Sequence, residues 1–360
     1  MTGTAQAPLR VALLGYGIAG RVFHAPLIAA TAGLRLHAVV TRDPQRRQQV
    51  RQEHPDTRLV DDAELLWRSP EALDLVVVAT PNRQHVAMAR AALAAGLPVV
   101  VDKPLAATAE QGRELVDEAA RLGVPLTVFQ NRRWDGDFLT VRRLVEQGEL
   151  GRVTRFESRF ERWRPTIKPG WREHAAADEA GGVLYDLGAH LIDQAVQLFG
   201  PASHVYAEVD RRRAGAQVDD DAFVALTHAG GLRSHLWMSA LTPQLGPRFR
   251  VLGDRAGYTS YGLDPQEDAL RDGGRPGGAG WGEVAPERYG QFGVDGDLRP
   301  LRTEPGSYQS FYEQVAAALR DGAPLPVDAR DAVDTVALIE LAHRSAAEGA
   351  VLPVPQSTAR

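Results

Sequence analysis

A chain of 360 residues is too long for one compact domain, and 44% hydrophobic with 24% charged residues is the composition of a soluble globular protein with real cores. The absence of cysteine excludes disulfides, thiolate metal sites and a cysteine nucleophile and suits a reducing compartment, while a formal net charge of −5 argues against a nucleic-acid partner. No apolar run approaches the roughly 20 residues of a membrane span, and residues 1–8 lack the basic-then-apolar order of a signal peptide, so a cytoplasmic protein with no membrane partner is expected.

Residues 9–14 read as a strand running into a glycine turn, followed by a helix over 22–32 with Pro26 near its first turns. A second strand covers 34–41, and Asp43 caps a helix over 44–53. The apolar run 73–80, an alanine-rich helix over 83–95, the strand 97–102, a helix over 108–122 and the strand 125–129 continue the alternation. Alternating helices and doubly buried strands predict an α/β unit, a Rossmann domain with a doubly wound parallel sheet, over 1–128.

The pattern then changes. After a helix over 137–147, half-buried strands are predicted at 153–160, 205–213, 222–228, 232–240 and 248–258, with Gly230 and Gly231 as a hairpin turn. This is an α+β domain with a large, mostly antiparallel, open-faced sheet over 129–360, for substrate binding and oligomerisation. Such a face needs a cover, and a homodimer or homotetramer would supply one. The Gly- and Pro-rich stretch 262–300 is expected to be a loop or lid, either a surface excursion or functional. Helices over 308–320 and 329–348 close the chain.

The turn Gly15-Tyr16-Gly17-Ile18-Ala19-Gly20 is G-x-G-x-x-G between a strand and a helix. The first glycine permits the tight turn, the second lets backbone approach a pyrophosphate, and the third allows close helix–strand packing. Free N–H groups at the helix start then suit phosphate. A glycine turn without ligand is the bland alternative. The second strand ends in Thr41-Arg42, where NAD enzymes place an acid for the ribose hydroxyls. A hydroxyl and a guanidinium there suit a 2′-phosphate, hence NADP. NAD is possible if Arg42 only stacks on adenine while Asp43 bonds the ribose.

These residues, with four further segments, resemble the glucose–fructose oxidoreductase/inositol dehydrogenase/rhizopine catabolism (Gfo/Idh/MocA) family over nearly the whole chain. Thr80-Pro81-Asn82 with His85 is similar to the family segment beside the nicotinamide. Asp102-Lys103-Pro104 resembles its Glu-Lys-Pro, with Asp replacing Glu. Trp171-Arg172, followed by Gly181-Gly182-Val183-Leu184-Tyr185-Asp186-Leu187-Gly188-Ala189-His190, resembles its second-domain signature. The resemblance implies that Thr80, Pro81, Asn82, His85, Asp102, Lys103, Trp171 and Arg172 join the glycine turn in binding the cofactor, and that the Lys103–Pro104 bond is cis. Segments 23–28, 131–135 and 137–140 are similar to the NADP-dependent scyllo-inositol dehydrogenase branch, which implies a small-molecule polyol or sugar substrate.

The residues make chemical sense on their own. Asp186 and His190 have i, i+4 spacing and would share a helix face, where the carboxylate can orient the imidazole and favour its charged form. Lys103 ends a buried strand on the side where such sheets bind ligands, and its ammonium could stabilise alkoxide character. His190 as proton acceptor, Asp186 as its orienting partner and Lys103 as the polarising cation give reversible oxidation of a secondary alcohol. Transient oxidation leading to elimination or glycoside cleavage, and a silent dinucleotide sensor, are the alternatives. His24, His37, His54, His204, His228 and His343 read as structural or exposed; Arg162, Trp163 and Arg164 either edge the pocket or lie on the surface. No metal-ligand spacing is found.

Overall fold

The structure, a computed structural model, describes residues 7–167 and 179–355. The first sheet comprises β1 (Leu9–Leu14), β2 (Leu34–Val40), β3 (Arg58–Val60), β4 (Leu75–Val78), β5 (Val99–Asp102) and β6 (Leu126–Phe129). All are parallel, in the order β3-β2-β1-β4-β5-β6 of a Rossmann fold. Val76, Val77, Val78, Val100 and Val101 are wholly buried because helices pack on both faces, which is why these strands read as unbroken apolar runs.

Local chemistry sets the ends of the flanking helices. The Asp43 carboxylate accepts hydrogen bonds from the N–H groups of Gln45 (2.9 Å) and Arg46 (3.0 Å) and so starts the helix Pro44–Glu53. Thr108 caps Ala109–Leu122, which Gly123 ends in a left-handed conformation (φ +67°). The helix after β1 begins three residues earlier than expected: a widened π turn over Ala19–His24 precedes the α-helix Ala25–Ala30, which has Pro26 in its first turn.

The second sheet has nine strands: β7 (Val153–Glu161), β8 (Ala202–Asp210), β9 (Asp221–His228), β10 (Arg233–Ser239), β11 (Phe249–Gly253), β12 (Gly257–Ser260), β13 (Gly290–Val294), β14 (Asp297–Leu301) and β15 (Leu352–Pro353). Their order is β14-β13-β12-β11-β7-β10-β9-β8-β15, and all pairs but β7–β10 are antiparallel. The helices Ala189–Phe199 and Ala329–Glu348 cover one face. On the other, Trp237 packs at a tilt against Phe223, ring centres 5.1 Å apart, and receives Arg159 at 4.0 Å from its ring centre.

Two expectations for this domain are corrected. The stretch 248–258 is two strands, because the chain reverses at Asp254-Arg255, and Gly253 lies so close to Leu150 that a Cβ would fall 1.9 Å from its carbonyl oxygen. The stretch 262–300 is ordered structure: it holds the helix Gln266–Arg271 and the β13–β14 hairpin, which turns at Asp295-Gly296. Buried Asp264 accepts the Gly136 N–H at 2.7 Å, and buried Gln266 accepts from Trp281 Nε1 and the Tyr308 N–H.

Candidate active site

Two glycines of the turn after β1 are required by packing. Gly15 has φ +98°, and a Cβ on it would lie 2.6 Å from the Ala79 carbonyl oxygen; one on Gly20 would lie 2.1 Å from that of Gly15. Gly17 differs, because a Cβ there meets nothing within 4 Å. The turn therefore opens to solvent at Gly17, and among the described residues the N–H groups of Gly17 and Ile18 have no backbone acceptor. Open space beside free donors at a helix start fits a pyrophosphate. Ile18 is exposed, but Tyr16 is buried: its hydroxyl donates to Glu53 Oε2 at 2.7 Å and its ring meets His54 edge-on. The Tyr16 side chain thus braces the helix Pro44–Glu53 and leaves its backbone to the turn.

At the end of β2, Thr41 is buried and its carbonyl accepts Arg47 Nη1 at 3.1 Å. The exposed Arg42 guanidinium donates to the Asp61 carbonyl (3.0 Å) and to the Asp62 carboxylate. Asp43 caps the next helix through its Oδ1. The groups facing solvent beside Thr41 are therefore the Arg42 guanidinium and the second oxygen of Asp43.

Beyond β4, Thr80-Pro81-Asn82 turns toward the second domain. The Asn82 amide donates to the carbonyls of Glu179 and Ala180, both at 3.3 Å, and Arg83 pairs with Glu179 at 2.5 Å. His85 is wholly buried beneath this turn, with Nε2 2.9 Å from the Thr80 carbonyl and Nδ1 2.8 Å from that of Pro104. It braces two backbone segments of the site from below. Asp102 lies in the same layer, 3.6 Å from Nε2 of buried His24, whose Nδ1 is 2.6 Å from the Tyr312 hydroxyl. Burial opposes the Asp102 charge, yet His24, His85 and Lys103 together hold this carboxyl below its ordinary range.

Lys103, Asp186 and His190 come together from opposite domains. Lys103 leaves the end of β5 at a cis Lys103–Pro104 bond. Its Nζ donates to Asp186 Oδ1 at 3.0 Å and to the Asp186 main-chain oxygen at 2.6 Å. Asp186 sits in a second π turn, Leu184–Gly188, which runs into the helix Ala189–Phe199 carrying His190 in its first turn. The loop before it is pinned by Asp219: Leu184 N–H donates to its carboxylate at 2.8 Å, and Gly182 (φ +91°) packs where a Cβ would fall 2.0 Å from Asp219 Oδ1. The geometry differs from the spacing argument in one respect, because the side chain bonded to Asp186 is Lys103. His190 is buried, and its Nδ1 has no partner among the described residues. Burial, together with the charges of Lys103 and Arg132, pushes its pKa well below the usual 6.5, against the opposing pull of Asp186. His190 is therefore neutral. Trp171 and Arg172 lie outside the described residues.

Sequence reading did not identify Arg132 and Arg248, whose charges reach His190. Arg132 pairs with Glu267 (2.6 Å) and Asp135 (3.3 Å), and Arg248 with Asp137 (3.3 Å). Gln194 links them, donating to the Arg132 carbonyl and accepting from Arg248. Only the segment 131–135 hinted at a role for Arg132; no local signal marks Arg248, whose partners are distant in sequence. Among the described residues there is no group of three His, Asp or Glu that could hold a metal, and no helix long and apolar enough to cross a membrane.

A Rossmann turn open to a pyrophosphate, facing a Lys–Asp pair and a neutral histidine, defines a nucleotide-dependent oxidoreductase. Comparison with known proteins agrees. Residues 9–130 match the model for the oxidoreductase family NAD-binding Rossmann fold, and 142–355 match its C-terminal alpha/beta domain. The chain belongs to the Gfo/Idh/MocA oxidoreductase family. It is 37% identical to the scyllo-inositol 2-dehydrogenase (NADP(+)) IolW of Bacillus subtilis, over 94% of each chain, and 40% identical to the uncharacterized oxidoreductase YdgJ of Escherichia coli, over 96% of this chain and 98% of that one. The solved structure of the oxidoreductase YPO2259 from Yersinia pestis superposes with a TM-score of 0.91 at 40% identity, covering 98% of this chain and 99% of the other.

Proposed function

We propose that this oxidoreductase reversibly oxidises a secondary alcohol of a cyclic polyol or sugar, scyllo-inositol or a close congener, with NADP as the preferred nucleotide. The observation that carries the reading is the meeting of Lys103, Asp186 and the neutral His190 at the edge of the Rossmann sheet. When bound, the nicotinamide supplies the hydride acceptor. His190 takes the hydroxyl proton, for which a neutral ring with an unbonded Nδ1 is suited. Lys103 stabilises the negative charge that develops on the substrate oxygen. Asp186 orients Lys103 and favours the protonated form of His190 once the proton has arrived. The glycine turn, the Thr80–Asn82 turn and, by resemblance, Trp171 and Arg172 hold the nucleotide, with His85 and Asp102 beneath them.

The preference for NADP rests on Thr41 and Arg42 at the end of β2, with Asp43 engaged as a cap. A guanidinium gives charge-assisted bonds to a phosphate, which a carboxylate would repel. The named activity of the Bacillus subtilis relative supports both the polyol and the nucleotide. The uncovered sheet face with Trp237, Phe223 and Arg159 supports a second copy as its cover, in a homodimer or homotetramer of a cytoplasmic enzyme whose domains divide near residues 128 and 129. Net formation of reduced nucleotide with polyols tests the reaction: a sugar consumed with no net reduction would replace it by transient oxidation, and nucleotide binding without turnover by a sensor.

A further inference from the structure

His24 ends the π turn Ala19–His24 and is wholly buried. Its ring touches both members of the last register pair of the β5–β6 ladder, Asp102 and Phe129. Nε2 lies 3.6 Å from Asp102 Oδ1, and the ring centre lies 4.5 Å from that of Phe129. Nδ1 meets the hydroxyl of buried Tyr312 at 2.6 Å, from the helix Gln309–Asp321. The carboxylate only accepts, which assigns the Nε2 hydrogen to the Asp102 side and leaves Nδ1 to accept from Tyr312. The layer around them is aromatic, with Phe129 packed edge-on against Phe311 at 5.0 Å. A phenylalanine at 24 would fill that space without desolvating an imidazole, so packing alone does not account for the histidine.

The two sides of His24 lead to the two halves of the site. Upstream, its π turn holds Gly20 against Gly15, beside the free N–H groups of Gly17 and Ile18. Downstream, Asp102 is followed directly by Lys103, whose Nζ bonds Asp186. One buried ring thus joins the helix that opens at the phosphate turn to the strand end that carries the cation.

We propose that His24 is a positioning residue for Lys103: through Asp102 it sets the end of β5 against the helix that follows the glycine turn, and so fixes where the ammonium lies relative to a nucleotide bound there. The proposal rests on the reading of Lys103 as the cation at the reacting oxygen, and adds what holds it in place.

The chain has only two lysines, Lys103 and Lys168, so acetylation of Lys103 by acetic anhydride can be followed on its own by peptide mass mapping. In the wild type Lys103 is sheltered and bonded to Asp186, and is expected to react slowly. His24→Phe keeps a ring against Phe129 and loses both polar contacts. Its Lys103 should react roughly 3- to 10-fold faster, the worth of one hydrogen bond, with Tm and NADP affinity near those of the wild type. In turnover, kcat should fall by roughly 10- to 100-fold, the cost of a reacting group misplaced by about 1 Å, with KM for NADP nearly unchanged. His24→Gln keeps an amide donor for Asp102 and a carbonyl for Tyr312, and should restore most of the protection and the rate. In the Lys103→Ala background His24→Phe should cost no further rate, because nothing is left to position. Wild-type labelling and kcat in His24→Phe overturn the proposal, and so does an equal loss of rate in the Lys103→Ala background. If His24→Phe does not fold, Tyr312→Phe, which removes one hydroxyl, should speed Lys103 labelling in the same direction; labelling at the wild-type rate there overturns the proposal. Normal turnover in Lys103→Ala would count against the reading of Lys103 alone, and the labelling would still decide whether His24 places it.

Discussion

Lys103 Nζ reaches from the Rossmann sheet to Asp186 in the second domain, 3.0 Å from its Oδ1 and 2.6 Å from its main-chain oxygen. The contact ties the strand end that carries the cation to the turn that leads into His190, so the two reacting side chains are positioned by one ion pair. Lys103→Ala and Asp186→Ala should each lower kcat, and the double variant should lose less than the two effects combined, because both remove the same interaction. Multiplicative losses in a double-mutant cycle would show that the two side chains act separately.

Replacing His190 by Ala should lower turnover by roughly 10²- to 10⁴-fold, the usual contribution of a general acid–base. Nucleotide affinity, read by quenching of tryptophan fluorescence, should stay near that of the wild type. Near-normal turnover in this variant would assign the proton to another group.

The pH dependence follows from the direction of the His190 shift. Burial and the charges of Lys103 and Arg132 depress its pKa below 6.5, so the folded protein takes up this proton less readily than the unfolded chain does. Stability is indifferent to this group above the unfolded value and falls as pH drops below about 6.5. The neutral base likewise persists under mild acid, so the acid limb of kcat/KM for alcohol oxidation should lie below the ordinary histidine range. Urea titrations and rates from pH 5 to 8 check both, with His190→Ala flattening its share of the stability slope. An acid limb at or above the ordinary value would contradict a buried neutral imidazole.

The glycines of the turn should separate packing from binding. Gly20→Ala places a Cβ 2.1 Å from the Gly15 oxygen and should cost about 1–3 kcal/mol of stability. Gly17→Ala meets nothing in the protein and should leave Tm unchanged while weakening nucleotide binding. Calorimetry with and without nucleotide reads the contrast; an alanine at 17 that binds as tightly as glycine would place the pyrophosphate elsewhere.

Arg42→Ala should weaken NADP binding by on the order of 1.5–3 kcal/mol, the worth of a hydrogen bond to a charged group, and leave NAD binding nearly unchanged. Isothermal titration with each nucleotide decides it, and equal losses for both would show that Arg42 does not read the 2′-phosphate.

The Rossmann half was legible because both its signals are local. Valine runs such as Leu75–Val78 mark strands buried on two faces, and Asp43, Gly96 and Gly123 mark helix ends. The three-residue edge strand β3 escaped, being too short to show a period. The ordered stretch after Gly262 was obscured by its glycines and prolines, although Asp295-Gly296 is a hairpin signal in its own right. In the site, Lys103, Asp186 and His190 lie in segments that resemble the family's motifs, and strand-end position and helical spacing made chemical sense of them. What spacing could not show is that Asp186 bonds Lys103, since that contact joins residues 83 apart in the chain. The pairs Arg132–Glu267 and Arg248–Asp137 were hidden for the same reason.

The central claim is hydride transfer from a polyol carbon to NADP with His190 and Lys103 assisting. Its most direct measurement is the absorbance of reduced nucleotide when the wild-type protein meets a panel of inositols and sugars, with NADP and NAD supplied separately. The account predicts net, stoichiometric NADPH formation with a cyclic polyol or sugar, a higher kcat/KM with NADP than with NAD, and a collapse of the signal in His190→Ala. A substrate consumed without net NADPH, or a clear preference for NAD, would contradict it.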